Sequence, residues 1–238
     1  MIVVIDSINY GDPLQHIDDV TVGVKYLSDH PEKVSLVMFT GGEDVHPSFY
    51  NGVDKGISYT NIKRDMYEKK VFDLCTHHDT KRLGICRGAQ FLNVMCGGFM
   101  YQHIENHTSY HNAYFPYDDA VRKVTSTHHQ LIGLPSGAVP IAWAAPKRSD
   151  VYIGPNCEKV GPPKYEIEAA IYPRFNTLGV QFHPEMMAPN EPGRILFIKM
   201  VKDFLENSIE TFTDLYGAKN NVVHNNLLAE DICRISVS

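Results

Sequence analysis

In the stretch LGICRGAQFLNV, residues 83–94, a cysteine stands between two glycines, each two positions away. A short apolar run reaches Cys86, and the pattern then becomes helical at once. That switch predicts a sharp strand-to-helix turn at Cys86. Gly84 and Gly88 would let the chain pass close to itself there, as the glycines of the G-x-S-x-G serine motif do. A thiol so placed faces a helix N-terminus, whose free N–H groups and positive dipole end favour thiolate. The N–H of Arg87 is then free to bond an oxyanion. The competing reading is a small buried core residue, the usual place of a free cysteine. On mechanism alone the two readings balance.

A nucleophilic thiol needs a base, and the base needs an orienting group. Among twelve histidines, the stretch LGVQFHPEMM singles out His183. It falls at the C-terminal end of a predicted strand, where open α/β sheets place their sites. Pro184 biases the preceding residue away from helix, and in extended chain residues i and i+2 point the same way. Glu185 would then reach one imidazole nitrogen and leave the other for the thiol, with a glutamate in the third role of a triad. Without the cysteine motif the same pair reads as a surface ion pair at a strand end.

The elements that must position these residues follow from periodicity. Residues 2–5 (IVVI) and 34–39 (VSLVMF) are apolar runs suited to parallel strands buried on both faces. Between them Ile17, Val20, Val24 and Leu27 recur at helical spacing. A second helix is predicted around Tyr67, Val71, Leu74 and Cys75, leading into RLGI at 82–85. The helix after Cys86 stops at Gly97-Gly98. This β-α-β-α-β-α succession predicts a doubly wound, mostly parallel α/β sheet with helices on both faces. Further strands are expected at 121–125, 139–143, 165–172 and 178–182, a loop over 146–163, and a last helix over 193–206. One domain, 1–206, with a C-terminal extension over 207–238, is the expected organisation.

With 238 residues, an ordinary globular composition and a net charge of −6, the chain can bury a sizeable core. No lysine/arginine stripe points to nucleic acid, and nothing approaches the roughly 18 consecutive apolar residues of a membrane span. The opening MIVVIDS reads as a first strand rather than a signal peptide. Five cysteines at irregular spacing make a poor disulfide framework, so a reducing, cytoplasmic setting is expected.

GICRGAQ followed by GVQFHPE resembles the class I glutamine amidotransferase superfamily. FTGGEDVHPSFY at 39–50 and TSTHHQ at 125–130 are similar to the gamma-glutamyl hydrolase branch, of the gamma-glutamyl-gamma-aminobutyrate hydrolase type. The resemblance covers about residues 1–206. It implies a flavodoxin-like fold, a Cys86-His183-Glu185 triad and an oxyanion hole from the N–H groups of Gly42 and Arg87. It further implies contacts to the glutamyl group from Gln90 and His128, and no cofactor. The activity it implies is cleavage of a γ-glutamyl amide bond through a thioester on Cys86. The alternatives are a glutaminase subunit passing ammonia to a partner synthetase, or a non-catalytic binding module on the same fold. The expected partners are a small γ-glutamyl molecule or glutamine, and a synthetase or a second copy of the chain.

His103, His107 and His111 lie four apart and would form a metal-binding stripe on a helix. Thr108, Ser109 and Asn112, after Gly97-Gly98, argue instead for strand and loop, so no metal is expected there. Arg64 and Asp65, near a predicted helix start, read as structural.

Overall fold

The computed structural model describes residues 1–6 and 8–217. The expected extension from residue 218 onward, with Cys233, lies outside the described residues. In chain order the strands are β1 (Ile2–Ile5), β2 (Val20–Val22), β3 (Leu36–Phe39), β4 (Lys81–Ile85), β5 (Phe99–Tyr101), β6 (His103–Ile104) and β7 (His111–Phe115). They continue with β8 (Ala120–Val124), β9 (Leu131–Gly133), β10 (Val139–Ala144), β11 (Tyr152–Ile153), β12 (Ile167–Tyr172) and β13 (Thr177–Val180). The α-helices are α1 (Lys25–Asp29), α2 (Ile62–His77), α3 (Arg87–Met95), α4 (Pro192–Glu206) and α5 (Ile209–Tyr216).

A nine-stranded sheet runs β2-β1-β3-β4-β13-β12-β10-β7-β8. The pairings from β2 to β13 are parallel, and those from β13 to β8 are antiparallel. The doubly wound half is the one whose apolar runs were continuous. All residues of β1, β3 and β13 are buried, because helices cover both faces of this half.

Side chains alternate between the two faces, as the pleat requires. Ile2, Val4, Leu36, Met38, Leu178 and Val180 pack with Phe197, Val201 and Phe204 of α4 and Phe212 and Tyr216 of α5. Val3, Ile5, Val37 and Phe39 turn to the other side, onto Val71 and Phe72 of α2 and Phe91 and Leu92 of α3.

Two elements differ from expectation. In place of one helix between β1 and β3, a 3-10 helix (Ile8–Leu14), β2 and the short α1 fill that stretch. Val20-Thr21-Val22 is a β-branched run that favours strand, and Gly23 takes φ +90°, outside helical space. Beyond residue 206, Ser208 caps α5 by accepting a hydrogen bond from Thr211 N, and Phe212 and Tyr216 are buried in the core. Within 146–163 only β11 is regular, pairing with β6. No described helix is long and apolar enough to cross a membrane.

Candidate active site

β3, β4 and β13 are parallel neighbours that end nearly level, with Phe39 opposite Gly84 and Val180 opposite Ile85. Their carboxyl ends deliver the 40–44 loop, Cys86 and the 181–185 segment to one edge of the sheet, the edge where open α/β sheets bind ligands.

Cys86 has φ 51° and ψ −112°, a conformation sparsely populated by residues other than glycine. It is pinned from both directions: its N–H donates to Val180 O at 2.8 Å, and its carbonyl accepts from Gln90 N at 3.1 Å, which starts α3. A Cβ on Gly84 would lie 2.5 Å from the backbone of Gly88 and Ala89, and one on Gly88 would lie 2.1 Å from Phe39 O. The glycine frame is therefore a steric requirement of the turn. Burial does not distinguish this thiol, since Cys86 is 7% exposed and Cys96 is 8% exposed. Burial pushes Cys75 up to about 11 and Cys96 up to about 12. Backbone and neighbours set Cys86 apart.

His183 Nδ1 lies 2.6 Å from Glu185 Oε1. The segment is not extended as expected from Pro184. Pro184–Met186 is a 3-10 turn with His183 as its N-cap, and proline is compatible with the first position of a helical turn because that N–H has no intrahelical partner. The pair closes through this turn rather than through strand alternation. Burial opposes a charged imidazole, yet the adjacent Cys86 sulfur and the Glu185 carboxylate outweigh it and hold His183 up at about 10. Its Nε2 is 2.7 Å from Thr127 Oγ1, and its backbone N–H donates to Thr125 O at 2.8 Å.

Gly42 takes φ +138°, and a Cβ there would lie 2.1 Å from Arg64 Nη1. Arg64 fastens this loop, donating to Gly41 O at 2.9 Å and to Glu43 Oε2 at 2.9 Å. The Arg87 guanidinium is buried, pairs with Asp65 and Glu68 of α2, and donates to Glu43 O at 3.1 Å. The sequence reading gave Arg87 weight only through its N–H. Its side chain also ties the helix that follows Cys86 to the loop that carries Gly42.

Cys86, His183, Gly42, Arg87, Gln90 and His128 line one cavity of about 290 Å³, and Glu185 stands behind His183. His128 turns its ring inward, with Nδ1 2.8 Å from Gln130 O. Five further lining residues were missed from sequence: Tyr10, Asp44, Thr127, His129 and Met186. Thr127 and Asp44 sit inside the quoted TSTHHQ and FTGGEDVHPSFY segments, a signal that could have flagged them. Tyr10 carries no such signal.

The family model described as Peptidase C26 matches residues 21–139, and the chain belongs to that family. A glutamine amidotransferase-like protein of Rickettsia prowazekii is 32% identical over 105 residues, 42% of this chain and 37% of that protein. The gamma-glutamyl-CDP-amidate hydrolase of Campylobacter jejuni is 36% identical over 92 residues, 37% of this chain and 40% of that one. These matches span about two fifths of the relatives' own length. Among solved structures, a protein of Thermoplasma acidophilum described as one of the subunits of GMP synthase superposes with a TM-score of 0.57 at 16% identity, covering 90% of this chain and 96% of that one. A glutamine amidotransferase of Thermotoga maritima gives 0.52 at 18%, covering 90% of each. At such identity these likenesses establish the shared α/β fold.

Proposed function

We propose that the chain is a cysteine hydrolase that cleaves a γ-glutamyl amide bond. The observation that carries this reading is the convergence of Cys86, on its strained turn, with the His183-Glu185 pair at the ends of adjacent strands β4 and β13. Cys86 Sγ attacks the γ-carbonyl carbon while His183 Nε2 holds the proton. The N–H groups of Gly42 and Arg87 receive the oxyanion, and Glu185 orients and stabilises the imidazolium. Collapse breaks the C–N bond as His183 returns the proton to the leaving amine, which leaves a γ-glutamyl thioester. His183 then takes a proton from water, the hydroxide attacks the thioester carbon, and glutamate departs as the thiol regains its proton. Gln90 and His128 border the place of the glutamyl group. Thr127, bonded to Nε2, steadies the ring as it changes charge.

The test is to give the isolated protein glutamine and a panel of γ-glutamyl amines, and to follow ammonia and free amine. Release of amine from the panel by the chain alone is the expected result. Turnover of glutamine only, and only with a co-purifying synthetase, would assign it instead to an ammonia-donating role in a two-chain enzyme. If a glutamine-mimicking electrophile leaves Cys86 unlabelled in the folded protein, both enzymatic readings fall and the non-catalytic module remains.

A further inference from the structure

Behind the cavity, the 125–130 segment turns its inner side to a second enclosed group of titratable side chains. His107, His111, His128, Glu166 and Glu168 are all buried there. Two of their polar atoms have no hydrogen-bond partner. The Nδ1–H of His128 donates to Gln130 O at 2.8 Å, which leaves Nε2 as a bare lone pair 3.5 Å from Glu168 Oε1. That nitrogen and Glu168 Oε2 are both buried without a hydrogen-bond partner.

The other rings are oriented in a matching way. His107 presents Nε2 to Glu166 Oε2 at 3.1 Å, and Nδ1 to Glu168 Oε1 at 3.1 Å. Glu166 already accepts from the N–H groups of Arg148 and Ser149 and from the Tyr152 hydroxyl. His111 has Nδ1 3.3 Å from Ser109 O and Nε2 2.9 Å from Glu168 Oε1. Each ring thus has one nitrogen facing a backbone carbonyl or the Glu166 carboxylate and the other facing Glu168, the pattern in which metal-bound histidines are held. The candidate ligand atoms of His107, His128 and Glu168 all lie within 4.8 Å of one another. Bonds of 2.0–2.1 Å in a tetrahedron give an edge of about 3.3 Å. The 3.1 and 3.5 Å separations from Glu168 Oε1 bracket it.

We propose that His107 Nδ1, His128 Nε2 and Glu168 bind one divalent transition-metal ion of the zinc class, with His111 Nε2 as the neighbouring fourth donor. Imidazole donors favour zinc-class ions over magnesium or calcium, and a fully enclosed set of protein donors makes a structural rather than a catalytic centre. The ion ties β7 and β12 to the 125–130 segment, and so holds Thr127 against His183. The helical stripe of His103, His107 and His111 considered from sequence is not this site. Only His107 and the adjacent His111 belong to it, and its other ligands come from residues 128 and 168.

The test uses the full chain carrying Cys86→Ala, so that the catalytic thiol cannot bind the ion. The protein is stripped with chelator, loaded with Co(II) or Zn(II) and desalted. The expected result is one metal per chain, intense tetrahedral cobalt bands without thiolate charge transfer, and paramagnetically shifted ring N–H signals from the ligating histidines. Glu168→Gln should abolish retention, and Glu166→Gln, which keeps every proposed ligand, should weaken binding roughly 10- to 100-fold. No retained metal, or retention unchanged in a folded Glu168→Gln protein, overturns the proposal. Should Glu168→Gln fail to fold, the shifted N–H signals of the parent decide, and their absence overturns it equally.

Discussion

At the residue scale, the site rests on how one imidazole is held. Cys86→Ala is expected to abolish turnover while circular dichroism stays that of the parent. Glu185→Gln should cost less than His183→Ala, because the carboxylate orients rather than transfers protons; the reverse order in kcat/KM would argue against these roles. The pH dependence follows from the same geometry. His183 is held up at about 10, above the free-imidazole value, so in the proposed reaction it holds a proton for the leaving amine until the pH approaches 10. By the same sign, the stability its charge contributes is full below about pH 6.5 and is lost as pH rises through about 10. Removing the Glu185 charge should bring the alkaline limb of the pH–rate profile down by about 1–3 units. An unmoved limb would show that Glu185 does not support the imidazolium. Thr127 gives a further test. Its hydroxyl bonds His183 Nε2, the nitrogen that holds the proton in the proposed reaction, and a hydrogen bond to a charged group contributes about 1.5–3 kcal/mol. Thr127→Val should therefore lower kcat by roughly ten-fold or more, with Thr127→Ser restoring it; equal rates for parent and valine variant would make Thr127 a bystander.

At the scale of elements, the turn at Cys86 and the loop at Gly42 are held by packing and by a buried charge network. Arg87 neutralises Asp65 and Glu68, both fully buried on α2, and reaches Glu43 O on the glycine loop. Breaking a buried pair leaves an uncompensated charge, at a cost of about 3–5 kcal/mol. Arg87→Met, which keeps much of the volume, should lower the urea midpoint accordingly, while Cys86→Ala leaves it near that of the parent. A stable Arg87→Met protein would mean that apolar contacts alone hold the loop. The sequence carried the glycines, the cysteine and the acidic residues of this network. It did not carry the pairing, because Asp65, Glu68 and Arg87 meet only when α2 and α3 pack on the same face of the sheet.

At the scale of the whole molecule, buried packing continues past residue 206. Phe212 and Tyr216 on α5 are buried against Phe204 and Tyr117. We therefore propose that the catalytic domain extends through α5. Truncating a buried phenylalanine to alanine costs about 3–5 kcal/mol. Phe212→Ala should lower Tm clearly, and a 1–206 fragment should fold less stably than the full chain. A fragment melting with the parent would place the boundary at 206 after all.

The sequence by itself determined the doubly wound half of the sheet, the strand-to-helix turn at Cys86 and the identity of the histidine and glutamate paired at its edge. These features are local: apolar runs, helical spacing and a glycine frame are read over a few residues. Only the tertiary structure decided how His183 and Glu185 meet, since a 3-10 turn replaces the extended segment that Pro184 suggested. It alone brought Thr127 to Nε2, Arg87 to its two carboxylates, and His107 and His128 to Glu168. Those contacts join residues tens of positions apart across strands and loops. Their partners are chosen by the low dielectric of the interior, where each buried polar group must find whichever partner the packed sheet brings within reach.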